Sequence, residues 1–291
     1  MKAPPFEYHR PQNLTDALKL LGGTDVRVLA GGQSLVPMLN FRLLAPAALV
    51  DINGLEELRG ILTSDGRLSF GAMVRQRDIE RHEGLAAVAP IFGEAVREIG
   101  HRQTRNRGTI GGSLCHLDPS AELPMLFVLH DASLTIQSMA GTRRVHIRDF
   151  IQGAMSPALE TGEILTRLEM DAWPQGHGYV FLEHARRAGD FAMSSAACLL
   201  TFDAQGVVTR ASVCVGGLGE RPVRLDGAES LLTGKMPGLP LFAQVADEIS
   251  GLPADGSIHA SASFKRQIAR TLLQRALIRA SERAGFAVVT S

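Results

Sequence analysis

Little in this chain of 291 residues is suited to metal, thiol or base-stacking chemistry. It has only three cysteines, Cys115, Cys198 and Cys214, far apart and with no CxxC pair. Three thiolates cannot complete a four-cysteine iron–sulfur or structural zinc site, and so sparse a set suits a reducing compartment. The nine histidines are scattered and none falls in an HExxH pattern, so no metal site is expected. Aromatic residues make up 5% of the chain, too few for nucleic-acid stacking platforms. Thirty basic and thirty acidic side chains leave no net charge to attract nucleic acid or an anionic membrane. Long apolar runs are missing too: Ala192–Phe202 is too short and interrupted to span a bilayer. The opening Met1-Lys-Ala-Pro-Pro-Phe-Glu-Tyr8 has no apolar signal-peptide core, and a cytoplasmic chain is expected. Also missing are GxGxxG, a P-loop lysine, a Ser/His/Asp nucleophile order and a catalytic carboxylate pair.

What is present is an ordinary globular composition, 45% apolar and 21% charged, in a chain long enough for two or three domains. Asn13 caps a short helix that Gly22-Gly23 ends, with Leu14, Ala17, Leu18 and Leu21 as its apolar face. Val26–Leu29 reads as a buried strand, Ser34 as the cap of a helix containing Pro37, and Ala48–Ile52 as another strand. Ser64-Asp-Gly-Arg67 predicts a hairpin turn between strands at 59–63 and 68–72. Leu85–Ile99 has helical periodicity up to Gly100, after a more polar helix near 76–82. A helix over 120–129, a second hairpin across Ala140-Gly141 and a strand at 163–170 follow, and Trp173-Pro174 marks a linker. Beyond it, strands at 179–185, 191–203 and 207–215 precede helices near 228–232, 241–249 and 262–284, an α+β order. The last helix carries Phe264, Ile268, Leu272, Ala276 and Ala280 at four-residue spacing.

Two glycine-rich bends concentrate the chemistry. Ala30-Gly31-Gly32-Gln33-Ser34-Leu35 leaves a strand, and Thr109-Ile110-Gly111-Gly112-Ser113 follows the basic run from His101 to Arg107. Glycines let main-chain N–H groups approach a ligand closely, and successive N–H groups make a nest for an anion. A pair of such bends suits one ligand with two adjacent phosphates. Arg97, His101, Arg102, Arg105 and Arg107 are positioned in sequence to balance such a ligand or to meet a partner; a solvated basic loop fits them equally well.

These two bends, with Asp118-Pro-Ser-Ala-Glu-Leu-Pro124 and Arg186-Arg-Ala-Gly-Asp-Phe191, resemble the FAD-binding medium subunits of molybdenum hydroxylases. That family includes the carbon monoxide dehydrogenase medium subunit and the flavin domain of xanthine dehydrogenase. The likeness runs from about Tyr8 to the C-terminal helix. It implies an α+β chain with two α/β FAD-binding subdomains of PCMH type (1–57 and 58–175) and a C-terminal α+β domain (176–291) with a three-stranded sheet. By the same resemblance, Ala30–Leu35 and Thr109–Ser113 hold the FAD pyrophosphate through backbone N–H groups. Glu122 faces the ribityl or ring side, Leu165 and Phe191 pack on the flavin, and Ile99 lies near the adenine.

Gln33 stands where wider relatives carry a histidine; an amide cannot form a histidyl–flavin bond, so FAD is expected to be non-covalent. Phe191 replaces a frequent tyrosine and loses its hydroxyl, and Glu183 stands where some relatives have lysine. His101-Arg-Gln-Thr104 also departs from the family pattern. The implied role is electron transfer. A large molybdopterin subunit oxidises the substrate, [2Fe-2S] clusters on a small subunit pass electrons to FAD, and an external acceptor receives them, in a dimer of heterotrimers. A free-standing FAD oxidoreductase and a flavin-free assembly subunit are the two other readings. No nucleic acid and no transmembrane segment are implied.

Overall fold

A computed structural model of the chain describes residues 2–288. Met1 and residues 289–291, the outermost parts of the first and last expected domains, lie outside the described residues. The chain divides into two compact units, and their boundaries recross the sequence.

The first unit comprises residues up to Arg81, His101–Leu117 and Ala132–Met170. Its three-stranded parallel sheet has Ala48–Asp51 at the centre, between Glu7–His9 and Val26–Leu29. Glu7–His9 has no hydrophobic alternation and was not expected as a strand; pairing with Ala48–Val50 makes it one. Helix Leu14–Leu21 packs beside this sheet, capped by the Asn13 side chain accepting from Asp16 N–H. Its Ala17, Leu18 and Leu21 join Val50, Ile52, Leu55, Leu58, Met73 and Ile164 in one core. The second sheet has five strands in the order Ile61–Ser64, Arg67–Gly71, Ile164–Asp171, Ser133–Ser138, Gly141–His146. Both expected hairpins are present. Asp65 (φ 50°) and Gly66 (φ 74°) both adopt the left-handed conformation that an Asp-Gly hairpin turn requires.

The second unit joins His82–Gly100 and Asp118–Asp131 to everything from Asp171 onward. Three long antiparallel strands, Gly178–His184, Ser194–Phe202 and Val208–Gly216, carry a short fourth, Val223–Arg224, at one edge. Ala196, Cys198, Leu200, Val213 and Val215 pack with the long Ala262–Arg283 helix and its two smaller neighbours. The alternate residues meet helix Glu122–Leu129, where Ser195 Oγ donates to Met125 Sδ (3.1 Å) and Ser212 Oγ to the Leu129 carbonyl (2.5 Å). Strand Ser194–Phe202 is thus covered on both faces, which is why seven of its nine residues are buried. Helix Glu122–Leu129 is buried all round, as its unbroken apolar sequence requires.

Two helix expectations are corrected. The 85–99 segment is two helices, Glu83–Val88 and Ile91–Glu98, because Pro90 forces Ala89 out of helical geometry (ψ 63°). On the long helix, Leu272, Ala276 and Ala280 are buried, but Phe264 is 46% exposed, and the core stripe runs through Ala269, Leu273 and Leu277 as well. A ladder of four-residue steps gains on a 3.6-residue turn, so Phe264 and Ala280 end about 160° apart.

His130 sits at the end of the Glu122–Leu129 helix, against Phe92 at 5.2 Å, with Nδ1 2.8 Å from the Leu126 carbonyl. Burial is the main force lowering its pKa, to about 4. The folded state therefore refuses a proton that the unfolded chain takes up below about 6.5. This group's share of stability is whole above that pH and is lost as pH falls towards 4. His130→Phe is expected to flatten that acid limb in a urea-denaturation series from pH 7 to 4; an unchanged limb would refute the assignment.

Candidate functional site

The two glycine bends meet. Gly31 faces the Arg107–Gly108 backbone that leads into the second bend, Gly111 faces Ala72, and neither place has room for a side chain. A Cβ on Gly31 would overlap the Arg107 carbonyl oxygen and stand 2.9 Å from its carbon and 3.0 Å from Gly108 Cα. Gly111 is held as tightly: its N–H donates to the Ala72 carbonyl at 2.7 Å, and a Cβ would stand 2.7 Å from the Ala72 Cβ. Gly111→Ala is accordingly expected to destabilise the apo chain by about 2 kcal/mol, read from its denaturation midpoint. A midpoint equal to wild type would show that the bend can relax.

The bends differ in what their amides do. In the second, Ile110 N–H donates to Val74, Gly111 to Ala72, Gly112 to Thr109 Oγ1 (3.0 Å) and Ser113 to the Thr109 carbonyl. The segment is the start of helix Ile110–His116, capped by Thr109, and not an open loop. In the first, the N–H groups of Gly31, Gly32, Gln33, Ser34 and Leu35 have no acceptor among the described residues. Gly32, at φ 74°, turns the chain through the left-handed region there. Ser34 precedes helix Leu35–Asn40 but makes no side-chain cap, contrary to the expected role. The hydroxyl is left to other partners. Leu29, Gly31, Gly32, Gln33, Val36, Pro37 and Arg107 line a depression of about 380 Å³ at this point. The first bend supplies donors, and the Arg107–Gly108 backbone leading into the second supplies the wall against which they are set. That arrangement suits a compact anion better than two equal loops of donors would.

Of the other expected site residues, Leu165 is in the same unit, buried in the strand Ile164–Asp171 and opposite Ile136. Ile99, Glu122 and Phe191 belong to the second unit. Ile99 is buried at the end of its helix, and Phe191 is 73% exposed in the turn before strand Ser194–Phe202. Glu122 is buried in the first turn of its helix. Burial, and then the negative charge of Glu183, raise its pKa to about 8, so it carries a proton at neutral pH. Glu183 is also raised, to about 7, by burial and by Glu98, and its Oε2 has no hydrogen-bond partner among the described residues. Cys115, beside the second bend, is no thiolate: burial of its sulfur pushes the pKa up to about 12. Among the described residues, no group of three or more His, Cys, Asp or Glu side chains could hold a metal ion.

Four polar residues behind the bends, Tyr8, Asp51, Asn53 and Arg75, belong to no sequence motif. They are spread over 68 positions and form no pattern in sequence. The nearest signal is Asn53-Gly54 directly after a buried strand.

Main-chain donors poised for an anion in a unit with a small parallel sheet define an anion-binding class of protein. Residues 4–173 match the FAD binding domain in molybdopterin dehydrogenase, and residues 179–280 the CO dehydrogenase flavoprotein C-terminal domain. The chain belongs to the family of FAD-binding medium subunits of molybdenum hydroxylases. It is 38% identical to the 6-hydroxypseudooxynicotine dehydrogenase complex subunit alpha of Paenarthrobacter nicotinovorans, over 98% of this chain and 97% of that one. It is 36% identical to the carbon monoxide dehydrogenase medium chain of Afipia carboxidovorans, over 96% and 98%. Among solved structures, quinoline 2-oxidoreductase from Pseudomonas putida 86 superposes with a TM-score of 0.94 at 36% identity, covering 98% of this chain and all of that one. It is thus an oxidoreductase flavoprotein subunit. Among the described residues, no helix is long and apolar enough to cross a membrane.

Proposed function

We propose that this chain binds FAD non-covalently and relays electrons, receiving them from [2Fe-2S] clusters of a small partner subunit and passing them to an external acceptor. The observation that carries the reading is the row of unsatisfied N–H groups from Gly31 to Leu35, set against the wall that Gly31 touches. A diphosphate is the anion with the charge and reach to use them. Bound there, FAD supplies one- and two-electron redox chemistry that no side chain of the protein offers. The protein's part is to bind, orient and tune. The N–H groups of 31–35 hold the diphosphate, and the Arg107–Gly108 backbone ahead of Thr109–Ser113 backs them. By family resemblance, Leu165 and Phe191 pack on the isoalloxazine, Ile99 lies towards the adenine, and Glu122 reaches the ribityl or ring side. A Glu122 that keeps its proton at neutral pH can donate a hydrogen bond there, where an ionised carboxylate could only accept.

A large molybdopterin subunit would oxidise the substrate, and the assembly would be a dimer of heterotrimers in the cytoplasm. Relatives that are subunits of dehydrogenase complexes support this, as do three cysteines that are all free thiols. The test is reconstitution of the purified full-length chain with FAD, followed by isolation of the native complex. The expected result is flavin absorption bands retained through gel filtration but released by acid, and co-purification with molybdenum and iron. A chain that takes up no flavin, or that oxidises a substrate at full rate alone, overturns the proposal.

A further inference from the structure

Behind the two bends lies a chain of polar side chains that the resemblance does not assign. Asn53 Nδ2 donates to the Ala30 carbonyl at 2.7 Å, at the start of the first bend. Arg75 donates from Nη1 to the Arg107 carbonyl, the main-chain oxygen that Gly31 abuts, and from Nη2 to Asn53 Oδ1. Asn53 is itself fixed: the Asp51 carboxylate accepts from its backbone N–H (2.8 Å) and from its Nδ2 (2.6 Å), and the Tyr8 hydroxyl donates to the other Asp51 oxygen. Both hydrogens of the Asn53 amide and its oxygen are therefore used. Burial opposes ionisation of Asp51, but the Tyr8 and Asn53 donors outweigh it and hold the carboxyl below its ordinary value. The guanidinium reaches its two acceptors from two separate nitrogens in a rigid planar fork, a geometry that the single nitrogen of a lysine does not reproduce.

We infer that Arg75 and Asn53 are positioning residues, a strap joining the Ala30 carbonyl to the Arg107 carbonyl that fixes the spacing of the two bends and thereby the affinity for FAD. The inference rests on the FAD reading of the site. Neither residue need touch the cofactor. The strap acts through carbonyls, turning the peptide units so that the amides of the first bend stay aimed outward while the Arg107–Gly108 backbone backs them.

The experiment uses the full-length chain with Arg75→Lys, Asn53→Ala and the double variant. FAD titration is read by flavin fluorescence, and hydrogen exchange is followed without FAD at bonded amides around each bend, Val36 and Met38 for the first and Gly108 and 110–113 for the second. Each single variant is expected to raise the FAD Kd about 10- to 100-fold. Exchange should rise in both bends together, and the double variant should be little worse than either single one, as members of one linkage must be. Circular dichroism and the denaturation midpoint show whether a variant has simply unfolded; Arg75→Lys, which keeps the charge and the stem, is the variant designed to stay folded. Wild-type chain that binds no FAD overturns the site reading and this inference together. Wild-type binding with unchanged affinity in both single variants, or additive losses in the double, overturns the strap alone.

Discussion

Replacing Gly31 by alanine is expected to weaken FAD binding by about 10²- to 10³-fold, the loss of two charge-assisted hydrogen bonds. The reason is steric before it is electrostatic. The added Cβ would overlap the Arg107 carbonyl oxygen, and that oxygen cannot retreat, because Arg75 donates to it. The first bend must move instead, carrying its unsatisfied N–H groups off their line. Two left-handed glycines are compared with it, Gly32 within the same bend and Gly66 far from it as the control. Gly32→Ala places a Cβ 3.2 Å from the end of the Val36 side chain, which can shift, and leaves only the left-handed strain, about 1 kcal/mol. Gly66→Ala suffers the same strain in a hairpin turn with open space around it, and should lower stability without changing FAD affinity. Isothermal titration of the three apo variants with FAD decides the matter. Equal affinities for Gly31→Ala and wild type would mean that the diphosphate does not use this bend.

The second large effect concerns Glu122. The group titrates at 4.5 in the unfolded chain and at about 8 in the folded one, chiefly because burial penalises the charge. The folded protein therefore holds a proton that the unfolded chain gives up. Stability from this group is whole below pH 4.5 and declines as pH rises to about 8, by roughly 1.4 kcal/mol per unit. At pH 7 the accumulated loss is on the order of 3 kcal/mol. Glu122→Gln keeps the shape and donor capacity without an ionisable proton, so apo chain carrying it should be more stable at pH 8 by a comparable amount, and nearly unchanged at pH 4.5. Thermal unfolding across that range is the measurement. If the two chains run parallel, the Glu122 carboxyl is ionised and paired in the folded state, and its proposed role as a donor to the flavin fails with it. Because His130 loses its share below 6.5 and Glu122 above 4.5, the two oppose each other on either side of a mildly acidic optimum.

Local rules carried far where a short stretch settles its own conformation. Asp65-Gly66 made its hairpin because two consecutive left-handed residues are tolerated there and nowhere nearby. Asn13 started its helix by bonding Asp16, three residues on. Gly31 and Gly111 sat in bends because the partner backbone leaves space for hydrogen alone, and a glycine announces that need in sequence. Legibility ended where the partner of a residue is remote. Glu7–His9 is a strand only because Ala48–Val50 is beside it. The second bend looked like a source of free amides until Ala72 and Val74 were found accepting from it. At Pro90 the apolar periodicity on either side masks a break that the residue itself demands.

By itself the sequence determined the two side-chain-poor bends, most of the strands and turns around them, and the family. Each follows from residue identity and near neighbours, which the order of the chain preserves. The tertiary structure alone decided that the first bend abuts the lead-in to the second, and that Ile110 to Ser113 spend their donors while the first bend keeps its own. It also drew helices Ile91–Glu98 and Glu122–Leu129 from mid-chain into the unit of the C-terminal sheet, and placed Arg75 across the gap between two carbonyls. Such facts depend on which distant segments a hydrophobic core brings together. Burial is non-directional and indifferent to sequence separation, so no local pattern encodes them.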